Sequence, residues 1–300
     1  MPSLVTTLRS LLAQADAHFE HGRIAQARTA FEELLERSQE RADHGMEVTA
    51  RAMLAHVHLR RRDPDAARTQ VQLAGQLLDP LHMESHGRYR AVLARLAIAE
   101  ASPEIVDQEL LAYLHWAEEA AAWPQATDAA LLLAERGPDK ERWLQRAIDM
   151  AQENGVEARL AEAFTALGSL LDVDGRHEEA FEAWQQAHAY QLRFGTPRQI
   201  VATAWAVGSV ACRLEDWPTA LALLDEAVSG AEGAEEGCDD LLALALADLA
   251  QVYEAAGDVI EARRLLLRAA ALARQQDLPR FWPDRWHNLL EHGRRLELDL

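Results

Sequence analysis

Ala166-Leu167-Gly168-Ser169-Leu170, followed by Gly175-Arg176 and Ala180, returns as Ala206-Val207-Gly208-Ser209-Val210 with Glu215-Asp216 and Ala220. A third copy reads Asp248-Leu249-Ala250-Gln251-Val252 with Gly257-Asp258 and Ala262. Gly168 to Gly208 is an interval of 40, and Gly208 to Ala250 one of 42. Recurrence at such a period marks an array of like supersecondary units, each stacked on its neighbours. The small residues before and after the turn are those of two antiparallel helices that cross closely, so each unit is read as a helical hairpin. Gly168, Gly208 and Ala250 on the first helix are expected to face Ala180, Ala220 and Ala262 on the second. Larger side chains then fill the layers between hairpins: Phe164, Leu167, Leu171, Trp184 and Ala187 in one unit, and Leu246, Leu249, Tyr253, Leu266 and Ala269 in another.

Working outward, the pattern predicts clear hairpins at about 4–39, 47–80, 157–195, 198–231 and 239–275. In the first, Ala15, Gly22-Arg23 and Ala27 stand where Gly168, Gly175-Arg176 and Ala180 stand later. In the second, Asp63-Pro64-Asp65 is a turn and helix start and Pro80 a stop. Residues 85–154 keep helical periodicity and the turn signals Ser102-Pro103 and Gly137-Pro138, but lose the small-residue positions; they read as degenerate repeats. The segment 282–298 is expected to form a single capping helix.

Composition agrees. Of 300 residues, 49% are hydrophobic but only 6% aromatic, with 15 Gly and 10 Pro, a balance that favours helix over sheet. The longest apolar stretches, such as 241–247, fall far short of the roughly 20 residues of a membrane span, and no signal segment opens the chain. A cytoplasmic location without membrane insertion is expected. The formal charge of -19 disfavours nucleic acid, because phosphate neutralisation needs a concentrated Lys/Arg surface. A basic or neutral protein or peptide is the expected partner. The basic runs 60–62, 263–264 and 294–295 are read as solvated partners of helix ends. Cys212 on a helix and Cys238 in an acidic loop are expected to be free thiols.

The array resembles the tetratricopeptide repeat family, with a spacing longer than the family's usual ~34 residues. The resemblance implies an all-α, right-handed α-solenoid of about seven hairpins with a C-terminal capping helix over residues 1–300. It implies a concave face lined by the first helix of each hairpin, which takes an extended peptide or a partner helix. Carried onto this chain, that face holds Ser169 and Asp172, then Trp205, Ser209 and Arg213, then Asp248, Gln251 and Glu254. Asp16, Phe19, His56 and Arg60 are secondary positions nearer the N-terminus. Members that clamp chaperone C-termini use Lys, Asn and Arg on this face; Thr165, Ser169 and Trp205 here argue against that role.

Trp205 beside Arg213, with Ser169, Ser209 and Gln251, combines an aromatic anchor with adaptable polar groups, as a peptide groove requires. The alternative reading of Trp205, the commoner role of a Trp in a packed array, is a filler between hairpins. Trp217 is read as structural, and Trp282 and Trp286 as covering the last hairpin's apolar face. The loop 230–237 is read as a mobile connector, with an acidic docking strip as its alternative. No metal or cofactor is expected: His56/His58, His82/His86 and His18/His21 lack a third ligand at suitable spacing. No phosphate loop, nucleophile elbow or zinc-protease motif is present, so the chain is read as no enzyme. The reading is a protein-interaction scaffold or adaptor; the alternative is a regulatory module that senses a ligand or signal peptide.

Overall fold

The computed structural model describes residues 4–20, 22–79, 81–100, 103–136, 139–234 and 237–299. Expectations placed on Pro80, Ser102, Gly137-Pro138, Glu235-Glu236 and His21 lie outside them. Sixteen helices and no strand occur among the described residues. They are α1 (Leu4–Glu20), α2 (Ile24–Glu40), α3 (His44–Arg60), α4 (Pro64–Gln76), α5 (Met83–Glu100), α6 (Pro103–Glu119), α7 (Trp123–Arg136) and α8 (Lys140–Glu153). There follow α9 (Glu157–Val173), α10 (His177–Phe194), α11 (Pro197–Arg213), α12 (Trp217–Gly233), α13 (Asp239–Ala255), α14 (Val259–Gln275), α15 (Leu278–Phe281) and α16 (Pro283–Arg295). The chain is a helical-hairpin repeat protein whose contacts divide it into two compact units, Met1–Trp143 and Leu144–Leu300, the division falling within α8.

Five of the hairpin turns have one local cause. Gly22, Arg62, Gly175, Glu215 and Gly257 all sit at positive φ. The next residue's N–H then returns to a carbonyl five positions back: Arg23 to His18, Asp63 to His58, Arg176 to Leu171, Asp216 to Ala211 and Asp258 to Tyr253. This left-handed closure satisfies carbonyls left open at a helix end. In three turns the residue so held also starts the next helix, since the carboxylates of Asp63, Asp216 and Asp258 accept from the N–H of Ala66, Thr219 and Glu261. Thr196 begins α11 with a reciprocal bond to Gln199, and Pro197 occupies the first helical position.

Packing sets large side chains directly against the glycines. A Cβ on Gly168 would meet the Trp184 ring at 2.8 Å, and one on Gly208 would meet Leu224 at 2.7 Å. The side chain nearest each glycine thus belongs to the residue one turn beyond the alanine named from the pattern. Ala180, Ala220 and Ala262 are fully buried nonetheless. The hairpin α5–α6 also retains a glycine contact, Gly87 against the Trp116 ring at 2.8 Å, where loss of small residues was expected. Its glycine sits nearer the start of the first helix and so escapes the pattern.

In the N-terminal unit, Leu8, Leu12, Ala15 and Phe19 of α1 pack with Ala27, Phe31 and Leu34 of α2 and with α3. In the C-terminal unit one continuous core joins α11 to α16. Of the expected fillers, Phe164, Leu171, Ala187, Leu246, Leu249, Leu266 and Ala269 are buried, while Trp184 and Tyr253 are half-buried. Trp217 and Trp286 pack against that core. One further reading changes: residues 230–233, expected as loop, are the last turn of α12. Cys238 lies outside the helices, as expected, directly before α13, and is 2% exposed. Leu278–Phe281 forms a separate helical turn before the capping helix. Both cysteines are free.

Candidate functional site

In the C-terminal unit the first helices α9, α11 and α13 are cross-linked side chain to side chain. Arg213 of α11 donates from Nη2 to both oxygens of Asp172 on α9, each at 2.7 Å, and from Nη1 to Ser209 Oγ at 3.2 Å. His177 Nδ1 lies 3.3 Å from the same Asp172. Trp205 Nε1–H donates to Asp248 Oδ2 on α13 at 2.9 Å, and Gln251 Nε2 donates to Asp248 Oδ1 at 3.2 Å. Asp248 is only 6% exposed, so these bonds are what make a carboxylate tolerable there. Cys212 beside it has its thiol pushed up to about 12, first by burial and then by the Asp248 charge.

The face is covered by the C-terminal segment. Trp282 lies against Trp205 with ring centroids 5.6 Å apart. The Arg285 guanidinium sits 5.2 Å over the Trp205 ring, bonds Ser209 Oγ at 3.3 Å and approaches Asp248 Oδ2 at 3.9 Å. Glu254 meets His292 Nε2 at 2.8 Å and Arg295 at 3.5 Å. Burial holds the His292 imidazolium form down, with Glu254 pulling the other way. The cation over Trp205 is Arg285; Arg213, expected beside Trp205, stands two turns away on the same helix, roughly 12 Å along its axis. Both guanidiniums share Ser209 instead. Ser169 is exposed on α9, and no hydrogen bond joins it to this network among the described residues.

In the N-terminal unit the secondary positions also come together. Asp16 accepts from both Arg88 terminal nitrogens at 2.8 Å, Phe19 meets the His56 ring at 4.7 Å, and Arg60 lies 5.1 Å over Phe19. His56 is pushed down to about 3 by burial first, then by the Arg95 and Arg60 charges, so it is neutral at pH 7. Arg95 in turn donates from one nitrogen to both oxygens of Asp128 at 2.8 and 2.9 Å. Sequence reasoning missed Arg88, Arg95, Asp128, Arg285 and His292. None stands at a repeat position that the copied motif marks, although Arg285 lies inside the Trp-rich run 281–286.

The groups resembling catalytic machinery are tied up in packing. His188 joins Thr203 Oγ1 at 3.0 Å and Glu226 at 3.4 Å, a hydroxyl, imidazole and carboxylate in line. Thr203 is 2% exposed, and its hydroxyl lies 3.0 Å from the Gln199 carbonyl and 3.1 Å from that of Ile200. The geometry ties α10, α11 and α12 together and leaves no approach to a substrate. Among the described residues no group of three or more His, Cys, Asp or Glu could hold a metal ion, and no helix is long and apolar enough to cross a membrane.

Residues 200–275, which run from α11 through α14, match the tetratricopeptide repeat family. No curated protein sequence matches the chain. Among solved structures, the fold is similar to a signal transduction ATPase with numerous domains, a protein with a tetratricopeptide repeat sensor, from Pyrococcus horikoshii. The TM-score is 0.74 at 14% identity over 95% of this chain, which spans 44% of that protein. A Rap protein complexed with competence and sporulation factor gives a TM-score of 0.51 at 13% identity, covering 97% and 99% of the two chains. The C-terminal part of a tetratricopeptide repeat-containing protein from Cytophaga hutchinsonii gives 0.50 at 13% identity, covering 87% and 94%.

Proposed function

We propose, from the tetratricopeptide repeats at residues 200–275, that the chain is a non-enzymatic protein-interaction module. Its partner, a protein or peptide of basic or neutral charge, docks on the face of α9, α11 and α13. One observation carries the reading: across α9, α11 and α13 stands an aromatic and polar row in which Trp205 bonds Asp248 and Arg213 bonds Ser209 and Asp172, with Glu254 on α13 met by His292. Aromatic anchors beside oriented polar groups concentrate binding energy. The chain's charge of -19 favours encounter with a basic partner and opposes nucleic acid.

Selection of a displayed random peptide library on the immobilised full chain tests this. Peptides enriched on the wild type should lose at least about tenfold in affinity on a Trp205→Ala, Glu254→Lys variant whose circular dichroism is unchanged. Equal retention by both proteins would place binding elsewhere and remove this face from the proposal.

A second reading is favoured by the likeness to the Pyrococcus horikoshii protein with its tetratricopeptide repeat sensor, of which this chain spans less than half. In that reading the chain is the ligand-sensing part of a larger signalling protein. A sensor should be stabilised by its ligand, by about 2.7 kcal/mol at a hundredfold excess over Kd, as a shift in the unfolding midpoint.

A further inference from the structure

We propose that the C-terminal segment 278–295 is an internal stand-in for the partner. On this proposal the face of α11 and α13 takes a helical segment carrying an aromatic residue, an Arg three positions later and a His or Arg seven to ten positions beyond that Arg. The resident segment leaves to admit it. This rests on the reading of that face as a binding surface and adds the chemistry of what binds.

The complementarity is group by group. Trp282 supplies an indole to the Trp205 ring, and Arg285 supplies a cation to that ring, to Ser209 and to Asp248. His292 and Arg295 supply the partners of Glu254. A helix that merely shielded the end of the array would need only its apolar stripe, Leu289 and Gly293 of α16 with Leu278 and Leu296 at its flanks. The aromatic and basic groups do something else: they read the row of acceptors on the first helices as a ligand would.

The segment is also held less closely than the helices beneath it. α14 buries six apolar residues, Ala262, Leu265, Leu266, Ala269, Ala270 and Ala273, whereas α16 buries Leu289, His292 and Gly293 alone. Phe281 is 65% exposed and Trp282 36%. A cleft of about 50 Å³ lies between α13 and α16, lined in part by Leu244, Ala247, Asp248, Arg285 and Trp286. The tether is short and bent: Asp277, in the left-handed region at φ 55, follows directly on the C-cap of α14.

A fluorescein-labelled synthetic peptide of residues 277–299 is the probe, added to the full chain. In an Arg285→Glu, Leu289→Asp variant the resident segment is undocked, and the probe should bind at least about tenfold more tightly than to the wild type. Adding Trp205→Ala and Asp248→Asn to the undocked chain, or carrying Trp282→Ala and Arg285→Glu in the probe, should each reverse that gain. Equal affinity for wild-type and undocked chains overturns the proposal. So does a concentration-dependent dimer lost with Trp205→Ala, since the occupant would then be the segment of a second copy.

Because the undocked variant could unfold, the unaltered chain provides a second measurement. Amide hydrogens of α16 should exchange at least about a hundredfold faster than those of α13 and α14. Exchange of α16 only in step with α14 marks a fixed cap and overturns the proposal. If peptides selected on the face depend on Trp205 yet do not compete with the probe, this inference falls and the binding face stands. If no peptide of any composition binds either chain, both fall.

Discussion

Trp205 and Asp248, 43 residues apart, are bonded across the α11–α13 boundary, with the indole Nε1–H donating to Oδ2 at 2.9 Å. The bond makes a carboxylate that is 6% exposed a stable part of the wall, and it orients the ring on which Trp282 and Arg285 rest. Trp205→Phe keeps the aromatic surface and deletes the donor. The variant should be less stable by about 1–3 kcal/mol, the cost of a buried acceptor losing one partner, measured as a lower urea midpoint at constant slope.

Glu215 holds the left-handed position of its hairpin turn at φ 57, where the sister turns have Gly175 and Gly257 at φ 75 and 82. A side chain there costs about 1 kcal/mol of backbone strain, offset in part by the extra unfolded freedom of glycine. Glu215→Gly should therefore raise stability by up to about 1 kcal/mol in thermal unfolding. Gly175→Ala should lower it by a similar amount, and since a Cβ on Gly175 would have nothing within 4 Å, that loss would report strain and not collision.

Gly208→Ala acts through space instead. Its Cβ would lie 2.7 Å from Leu224 Cγ and 3.3 Å from the Leu224 backbone nitrogen, and Leu224 is fully buried. With backbone behind the clash, α11 and α12 must separate. A loss of about 1–3 kcal/mol is expected, recovered in part by Leu224→Ala in a double-mutant cycle.

His56 links stability to pH. Its folded value of about 3 lies below the ordinary 6.5, so between these values the unfolded chain binds more protons than the folded one. Its contribution is complete above pH 6.5 and is lost as pH falls towards 3, with a slope approaching about 1.4 kcal/mol per pH unit. Wild type should thus lose about 1.7 kcal/mol more than His56→Gln between pH 6.5 and 5, read as the difference in their urea midpoints. An equal loss in both proteins would show that His56 is free to protonate in the folded chain.

Much of the hairpin architecture was legible in the residues because its determinants are local. A left-handed residue followed by a carboxylate cap closes one helix and opens the next within five positions, as at Gly257-Asp258, and the 3.6-residue period of apolar side chains marks what is buried. The copied motif placed Trp205, Ser209 and Asp248 on first helices for the same reason. What covers them was decided by tertiary packing. Arg285 reaches Ser209 across 76 positions, the Trp184 ring lies nearest Gly168, and Cys238 is buried in a stretch whose composition reads as loop. Each outcome depends on how far one helix slides along another, a quantity set by the fit of many side chains at once and carried by no single stretch of sequence.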